Sequence, residues 1–176
     1  PVVHVWSHTG GKLTWDEAGA FFRPDPLRPP TGADGFAAVS ITGAANGDLR
    51  LGEIVEELRE DQPDEAPLEP VWLMPQGAGI EKRSKMFLDF QNDVKVADVQ
   101  LAAREGFESV EHTKRYTTLG MATDQGKLSN INGLAVLADA LGAPIPEVGT
   151  TTFRPPYTPI SMGAIAGEAR GELFQP

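Results

Sequence analysis

The stretch SNINGLAVLADALGAP, residues 129–144, decides the fold of the second half of the chain. Ser129 or Asn130 can cap a helix that begins here, because both side chains accept hydrogen bonds from exposed N–H groups. Gly142 and Pro144 end it. The apolar side chains of this helix fall on one face and are Ile131, Leu134, Ala135, Ala138 and Leu141. The pattern therefore predicts an amphipathic helix between that cap and Gly142.

Two more helices are predicted upstream of this stretch. Residues 96–105 place valine and alanine side chains on one helix face, and Gly106 follows as a typical C-terminal residue. Ser109 then occupies an N-cap position with Glu111 in the first turn, which predicts a helix from residue 110 to about 118. The three helices together predict a small compact module.

The first forty residues read as short strands. Val2, His4 and Trp6 alternate with other residues before the turn sequence Thr9-Gly10-Gly11, and a second alternation follows at residues 13–15. This spacing predicts a β-hairpin. Phe21 and Phe22 favour a further strand, whereas the prolines of residues 24–30 predict a loop because proline removes backbone donors.

A strand, a tight turn and a helix are predicted over residues 36–58. The β-prone run 36–41 leads into Gly43-Ala44-Ala45-Asn46-Gly47, and the apolar residues of 51–58 recur at helical spacing. Small residues at such a turn let backbone amides approach a phosphate or a sugar. The other interpretation is a turn that only closes a strand–helix unit. The sequence has neither a dinucleotide-binding fingerprint nor a P-loop.

Composition narrows the function classes. The 176 residues carry 15 Lys and Arg against 25 Asp and Glu, a formal net charge of −10. An acidic surface argues against nucleic acid and anionic membranes as partners. There are no cysteines, which excludes disulfides, thiolate metal sites and cysteine nucleophiles. The N-terminal residues lack signal-peptide features, so we expect a cytoplasmic protein.

Several anion-compatible side chains nevertheless cluster in sequence. They are Lys114, Arg115, Thr117, Thr118, Gln125 and Lys127, with Arg154 and Tyr157 further along the chain. Charged and hydroxyl donors of this kind can converge on a phosphate. The alternative is that the basic residues are solvated helix residues without a ligand. His4 and His8 with Asp16 and Glu17 make a metal site conceivable, but packing histidines are the favoured interpretation.

Three strings carry a family resemblance: FLDFQNDV at 87–94, AAREGFESVEHTKRYTTLGMATDQGK at 102–127 and GTTTFRPPYTP at 149–159. They resemble the α subunit of heterotetrameric sarcosine oxidase. The resemblance implies an oxidoreductase that demethylates sarcosine to glycine and passes the one-carbon unit to tetrahydrofolate. It also implies NAD on the α subunit, FMN at the β subunit interface, FAD elsewhere in the complex, and β, γ and δ partner subunits.

The resemblance divides this internal piece of a longer subunit into four parts. We expect an α+β fold: residues 1–62 end an NAD-binding domain, 63–80 form a proline-rich and acidic linker, 81–145 form the helical module and 146–176 form an extended arm. By resemblance, the residues that border NAD are Gly43, Ala44, Ala45, Leu49 and Leu51. The basic cluster and the arm lie toward the FMN phosphate. No catalytic residue and no metal ligand is assigned to this chain, which we expect to be inactive alone.

The helical module also resembles the small [2Fe-2S] domains of bacterioferritin-associated-ferredoxin type. Their four cysteine positions correspond here to Asp89, Gln91, Asp124 and Ser129. An iron–sulfur cluster needs thiolate ligands, so we expect no cluster in this chain. The remaining roles are packing, interface formation and phosphate binding. A rival hypothesis is a self-contained, non-catalytic binding module for a phosphorylated small molecule.

Overall fold

A computed structural model describes residues 3–48, 67–73, 77–153, 158 and 160–167. Within them the fold is mixed α+β with short strands, as the sequence predicts. The front segment contains α1 (His4–His8), β1 (Leu13–Asp16), β2 (Phe21–Pro24) and a 3₁₀ helix (Gly43–Asn46). The second segment contains α2 (Ile80–Arg83), β3 (Phe87–Asp89), β4 (Val94–Lys95), α3 (Val96–Arg104), α4 (Val110–Thr117), α5 (Asn130–Leu141), α6 (Ile145–Val148) and α7 (Met162–Ala166).

The predicted hairpin at residues 2–15 is wrong in its first half, because His4–His8 is helical. Val3 and Trp6 are both buried and lie three residues apart, a spacing that places both side chains on one face of a helix but on opposite faces of a strand. The Trp6 indole N–H donates to the Lys12 carbonyl at 2.7 Å, which fixes the chain as it leaves the helix.

The front hairpin forms instead between β1 and β2, which pair antiparallel from Leu13 opposite Pro24 to Asp16 opposite Phe21. The strand expected at residues 36–41 is also wrong: this run makes only an isolated bridge between Thr31 and Ala37. β-Prone residues need a partner strand to form a ladder. The predicted turn is the 3₁₀ helix, which ends at Gly47 with a positive φ of 95°.

The three predicted helices of the module are confirmed as α3, α4 and α5, but their predicted side-chain caps are wrong: neither Ser109 nor Ser129 accepts a capping hydrogen bond, and Asn130 lies inside α5. The N–H of Lys95 donates to the Asp98 carboxylate at 2.9 Å, which caps α3. Gly142 adopts a left-handed φ of 64° where α5 ends. The sequence analysis missed the β3–β4 hairpin, whose short polar turn carries no glycine signal.

One contiguous core holds this module together. Its buried members are Val94, Val96, Val99, Leu119, Val136 and Leu137. α5 is buried on more of its circumference than the predicted stripe, since Gly133, Val136 and Leu137 are buried as well. A side chain at Gly133 would collide with Leu119, so glycine lets α5 approach that side chain closely. α5 is therefore the central helix of the module.

Parts of the prediction fall where the structure gives no description. The expected helix of residues 51–58 lies outside the described residues, as do most of the linker and residues 154–157 of the arm. Two short helices, α6 and α7, interrupt the expected arm, and the Ser161 hydroxyl caps α7 by accepting from the Ala164 N–H at 3.1 Å. In the described part of the chain, no helix has the length and apolarity needed to cross a membrane.

Candidate functional site

A cavity of about 830 Å³ lies between the front segment and the helical module. Its volume falls within the usual range for small-molecule sites. The walls combine aromatic, small and polar side chains from both segments. The lining residues are Val3, Leu13, Ala20, Phe21, Phe22, Ala44, Ala45, Trp72, Gly126, Lys127, Asn130, Ile131, Thr150 and Phe153. We call this space the large cavity.

The predicted small-residue turn forms part of that wall. Gly43 has a positive φ of 64°, a conformation that glycine tolerates best, and Ala44 and Ala45 line the cavity. Because their side chains are only methyl groups, a ligand can come close to the backbone here. Leu49 and Leu51, the other two residues expected at this rim, lie outside the described residues.

Lys127 brings a positive charge to the same cavity, directly before α5. Burial lowers the pKa of His4, and the nearby His8 and Lys127 charges lower it further. The cavity lining thus combines aromatic rings with one lysine, groups that suit a ligand with a flat ring and an anionic group.

Asn130 fixes the loop that carries Lys127. Its side chain lies against both Gly120 and Gly126, which have positive φ values of 65° and 74°, and a side chain on either glycine would collide with it. The Asn130 amide also donates to the Thr151 hydroxyl at 3.0 Å. One buried side chain therefore holds the 120–127 loop and the start of the arm together.

A second pocket, of about 200 Å³, collects part of the predicted basic cluster. Its lining residues are Glu111, Lys114, Arg115, Gly120, Met121, Gln125 and Phe153. We call it the small pocket. Thr117 and Thr118 are not among these residues, and their hydroxyls donate to backbone carbonyls of Thr113 and Thr117. Arg154 and Tyr157 lie outside the described residues.

Glu111 balances the charge of the small pocket. Its carboxylate accepts from Arg115 at 2.7 Å and from the Thr152 N–H at 3.0 Å. Burial acts to raise the pKa of Glu111, but these hydrogen bonds and the positive charges of Arg115 and Lys114 hold it below its usual value. An anion that enters the pocket must therefore compete with Glu111 for Arg115.

The positions that correspond to cluster cysteines are tied into two loops. The buried Asp89 carboxylate accepts from the N–H groups of Gln91, Asn92 and Gly120 at 2.8–3.1 Å. The Gln91 side-chain oxygen accepts from the Asp124 N–H at 3.2 Å. The Ser129 hydroxyl is buried and has no hydrogen-bond partner among the described residues. All four positions offer oxygen or amide groups and none offers sulfur, so they do not fit an iron–sulfur cluster.

The two histidines considered as metal ligands pack against each other. Because α1 is helical, His4 and His8 lie one turn apart with ring centroids 5.9 Å apart in an edge-to-face arrangement. Among the described residues there is no group of three or more His, Asp or Glu side chains that could hold a metal ion.

The aromatic wall of the large cavity was not predicted. Phe21, Phe22, Trp72 and Phe153 come from segments up to 132 positions apart, and each looks like an ordinary core residue by itself. The sequence signal for the site was limited to the small-residue turn and the basic residues. Only the fold shows that the turn and Lys127 line one cavity, whereas Lys114 and Arg115 line the small pocket.

Comparisons with known proteins agree on one family. Residues 83–168 match the family described as Sarcosine oxidase A3 domain. The chain is 45% identical to the sarcosine oxidase subunit alpha of Rhizobium meliloti (strain 1021), over 100% of the chain and 19% of that relative. It is 41% identical to the subunit of the same name from Corynebacterium sp. (strain P-1), over 100% of the chain and 20% of the relative.

A solved structure shows a similar fold. The L-proline dehydrogenase from P. horikoshii superposes with a TM-score of 0.62 and 24% identity, covering 95% of this chain and 37% of that one. At this identity the likeness concerns the fold alone. The chain spans about a fifth of the length of the first two curated relatives, both named as subunits. Residues 83–168 therefore match the sarcosine oxidase A3 domain, and the whole chain is similar to a segment of about a fifth of the sarcosine oxidase α subunits.

Proposed function

We propose that this chain is the part of a sarcosine oxidase α subunit that forms one side of an NAD site and contacts the FMN-bearing β subunit. The observation that carries the proposal is the large cavity, in which the turn at Ala44 and Ala45 faces the same space as Lys127. The enzyme as a whole would oxidise sarcosine to glycine and pass the one-carbon unit to tetrahydrofolate. Its β, γ and δ subunits and FAD would complete it.

The residues of the large cavity fit NAD. Phe21, Phe22 and Trp72 supply flat apolar surfaces for a ring, and the alanines allow a sugar or phosphate to approach the backbone. Lys127 supplies one positive charge for a pyrophosphate. When bound, NAD supplies hydride-transfer chemistry. The chain's own residues bind and orient the dinucleotide, and no described residue is proposed as an acid, base or nucleophile.

The small pocket fits the phosphate of FMN rather than its ring system. Its volume of about 200 Å³ is below the roughly 300–1,000 Å³ of pockets that enclose a drug-sized ligand. Lys114, Arg115 and Gln125 can donate to phosphate oxygens there. We therefore propose that this pocket holds only the phosphate end, while the β subunit holds the ring.

The NAD part is tested by calorimetric titration of NAD into the complete α subunit and into its Lys127→Ala variant. We expect NAD affinity to fall about tenfold in the variant, because one charge-assisted hydrogen bond is worth about 1.5–3 kcal/mol. Lys85→Ala, an exposed lysine that does not line the large cavity, is the matched control. Equal affinities in both variants would contradict this part of the proposal.

The FMN part is tested in the assembled enzyme with Arg115→Ala. We expect lower FMN content or weaker α–β association by a factor of about ten, with the helices still folded. The control is Arg104→Ala, which removes an exposed charge in the last turn of α3. If the FMN content of the Arg115→Ala enzyme were unchanged across salt concentrations, Arg115 would be an ordinary surface residue.

The rival function, a self-contained binder of a phosphorylated small molecule, predicts a different outcome. The full chain would then be monodisperse, unfold in one cooperative transition and bind phosphate compounds without any response to NAD or to the β subunit. Size-exclusion chromatography and the same titrations distinguish the two functions.

A further inference from the structure

Residues 150–153 form a partition between the large cavity and the small pocket. Thr150 lines the large cavity, and Phe153 lines both spaces. Thr151 is buried, and its hydroxyl accepts from the Asn130 amide at 3.0 Å. The two spaces therefore share one aromatic side chain as a common wall.

The partition is also connected to the charged groups of the small pocket. The Thr152 N–H donates to the Glu111 carboxylate at 3.0 Å, and the same carboxylate holds Arg115 at 2.7 Å. An anion that binds Arg115 changes the partners of Glu111, and Glu111 is the group that fixes the backbone next to Phe153. A change in one pocket thus reaches the wall of the other through two hydrogen bonds.

We propose that the two spaces are energetically coupled through Phe153, so that an anion in the small pocket strengthens ligand binding in the large cavity. This inference rests on the proposed function, since it takes NAD as the ligand of the large cavity. An anion that fills the small pocket packs against one face of Phe153 and restrains the ring. The opposite face then forms a preorganised wall for the dinucleotide, which reduces the entropy lost on binding.

Linkage makes the coupling reciprocal. If phosphate tightens NAD binding by some factor, NAD must tighten phosphate binding by the same factor. Allosteric couplings of this kind typically change affinity between about fivefold and 150-fold. Because the connection here is short, we expect a coupling factor of at least about five.

The test measures the affinity of the complete α subunit for NAD by calorimetry, without and with saturating inorganic phosphate at constant ionic strength. Chloride at the same ionic strength corrects for screening. We expect phosphate to tighten NAD binding at least about fivefold and NAD to tighten phosphate binding equally. A coupling factor below about two in the wild-type chain would overturn the proposal.

Two variants separate coupling from binding. In Phe153→Ala the shared wall is gone, so we expect the coupling factor to fall to about one, whatever happens to each separate affinity. Phe90→Ala removes an exposed ring that lines neither space and should keep the wild-type factor. Full coupling in Phe153→Ala would overturn the role of this residue. A wild-type α subunit that binds no NAD at all would instead refute the proposed function, and the coupling with it.

Discussion

Two buried carboxylates show how differently the front segment and the helical module are held together. Asp25 in the front segment accepts only from neighbours in sequence, the Leu27 N–H at 2.9 Å and Arg28 at 2.6 Å. Asp89 in the module accepts from its own turn and also from the Gly120 N–H, 31 positions away. The Asp25 carboxylate thus stabilises its own turn, whereas the Asp89 carboxylate also connects two loops of the module. This difference predicts which substitutions each region tolerates.

The largest effect is expected from the module core. Leu137 is 1% exposed, so Leu137→Ala should lower the free energy of unfolding by about 2–5 kcal/mol through lost burial and a cavity. Phe22 in the front hairpin is only half-buried, and Phe22→Ala should cost about 1.5 kcal/mol or less. Urea unfolding followed by circular dichroism measures both. Equal losses of unfolding free energy in the two variants would contradict the difference between the two regions.

The second largest loss of unfolding free energy is expected from a substitution in the 120–127 loop. Gly126→Ala should lower the free energy of unfolding by about 2–4 kcal/mol, because the new methyl group meets Asn130 and the positive φ strains any L-residue. Gly142→Ala is the matched control, since its φ is also positive but no atom lies within reach of a new side chain. We expect about 1–2 kcal/mol there. If Gly126→Ala lost less unfolding free energy than Gly142→Ala, the Asn130 side chain would be able to move away from the new methyl group at little cost.

The two carboxylates themselves give the third test. Asp89→Ala should cost about 2 kcal/mol, because several N–H groups lose a charged acceptor inside the module. Asp25→Ala should cost less, since solvent can replace a local turn contact. Chemical denaturation compares the two variants. If removal of Asp25 were the more damaging change, local contacts rather than cross-loop contacts would dominate stability.

The smallest effect concerns pH. The folded-state pKa of Glu111 lies below its unfolded value, so this carboxylate stabilises the fold above the ordinary glutamate pKa of 4.5. That contribution is lost as the pH falls from this value through the folded pKa. Glu111→Gln should therefore flatten the acid limb of the unfolding free energy while leaving its neutral-pH slope unchanged. If the unfolding free energies of the wild-type protein and of Glu111→Gln fell in parallel at acid pH, the shifted pKa of Glu111 would not contribute to stability.

The same contrast explains how far the sequence analysis could reach. The helices of the module were predicted correctly because each has a local stop or cap: Gly106 after α3, Ser109 before α4 and Gly142 after α5. In the front segment, three alternating residues from Val2 to Trp6 fit a strand and a helix equally well. There the burial of Val3 together with Trp6 decides the outcome, and burial depends on contacts that local patterns do not contain.

The candidate site shows the same limit. Small residues at the turn and basic residues near α4 and α5 could be singled out from sequence, because their chemistry suits an anionic ligand. The neutralisation of Arg115 by Glu111 follows from helical spacing of four residues, but its link to Thr152 depends on tertiary structure. The aromatic wall joins residues from three segments, so no local pattern could have predicted it.

The buried bond between the Gly120 N–H and Asp89 has a kinetic consequence. It closes a 31-position loop that contains the whole of α3 and α4, and loop closure costs more entropy as the loop lengthens. We therefore expect this hydrogen bond to form late in folding, after both helices have brought their ends together. We expect substitutions of Asp89 to accelerate unfolding much more than they slow folding, which is the behaviour of a late contact. A buried carboxylate would then determine how long the native module persists rather than how fast it forms.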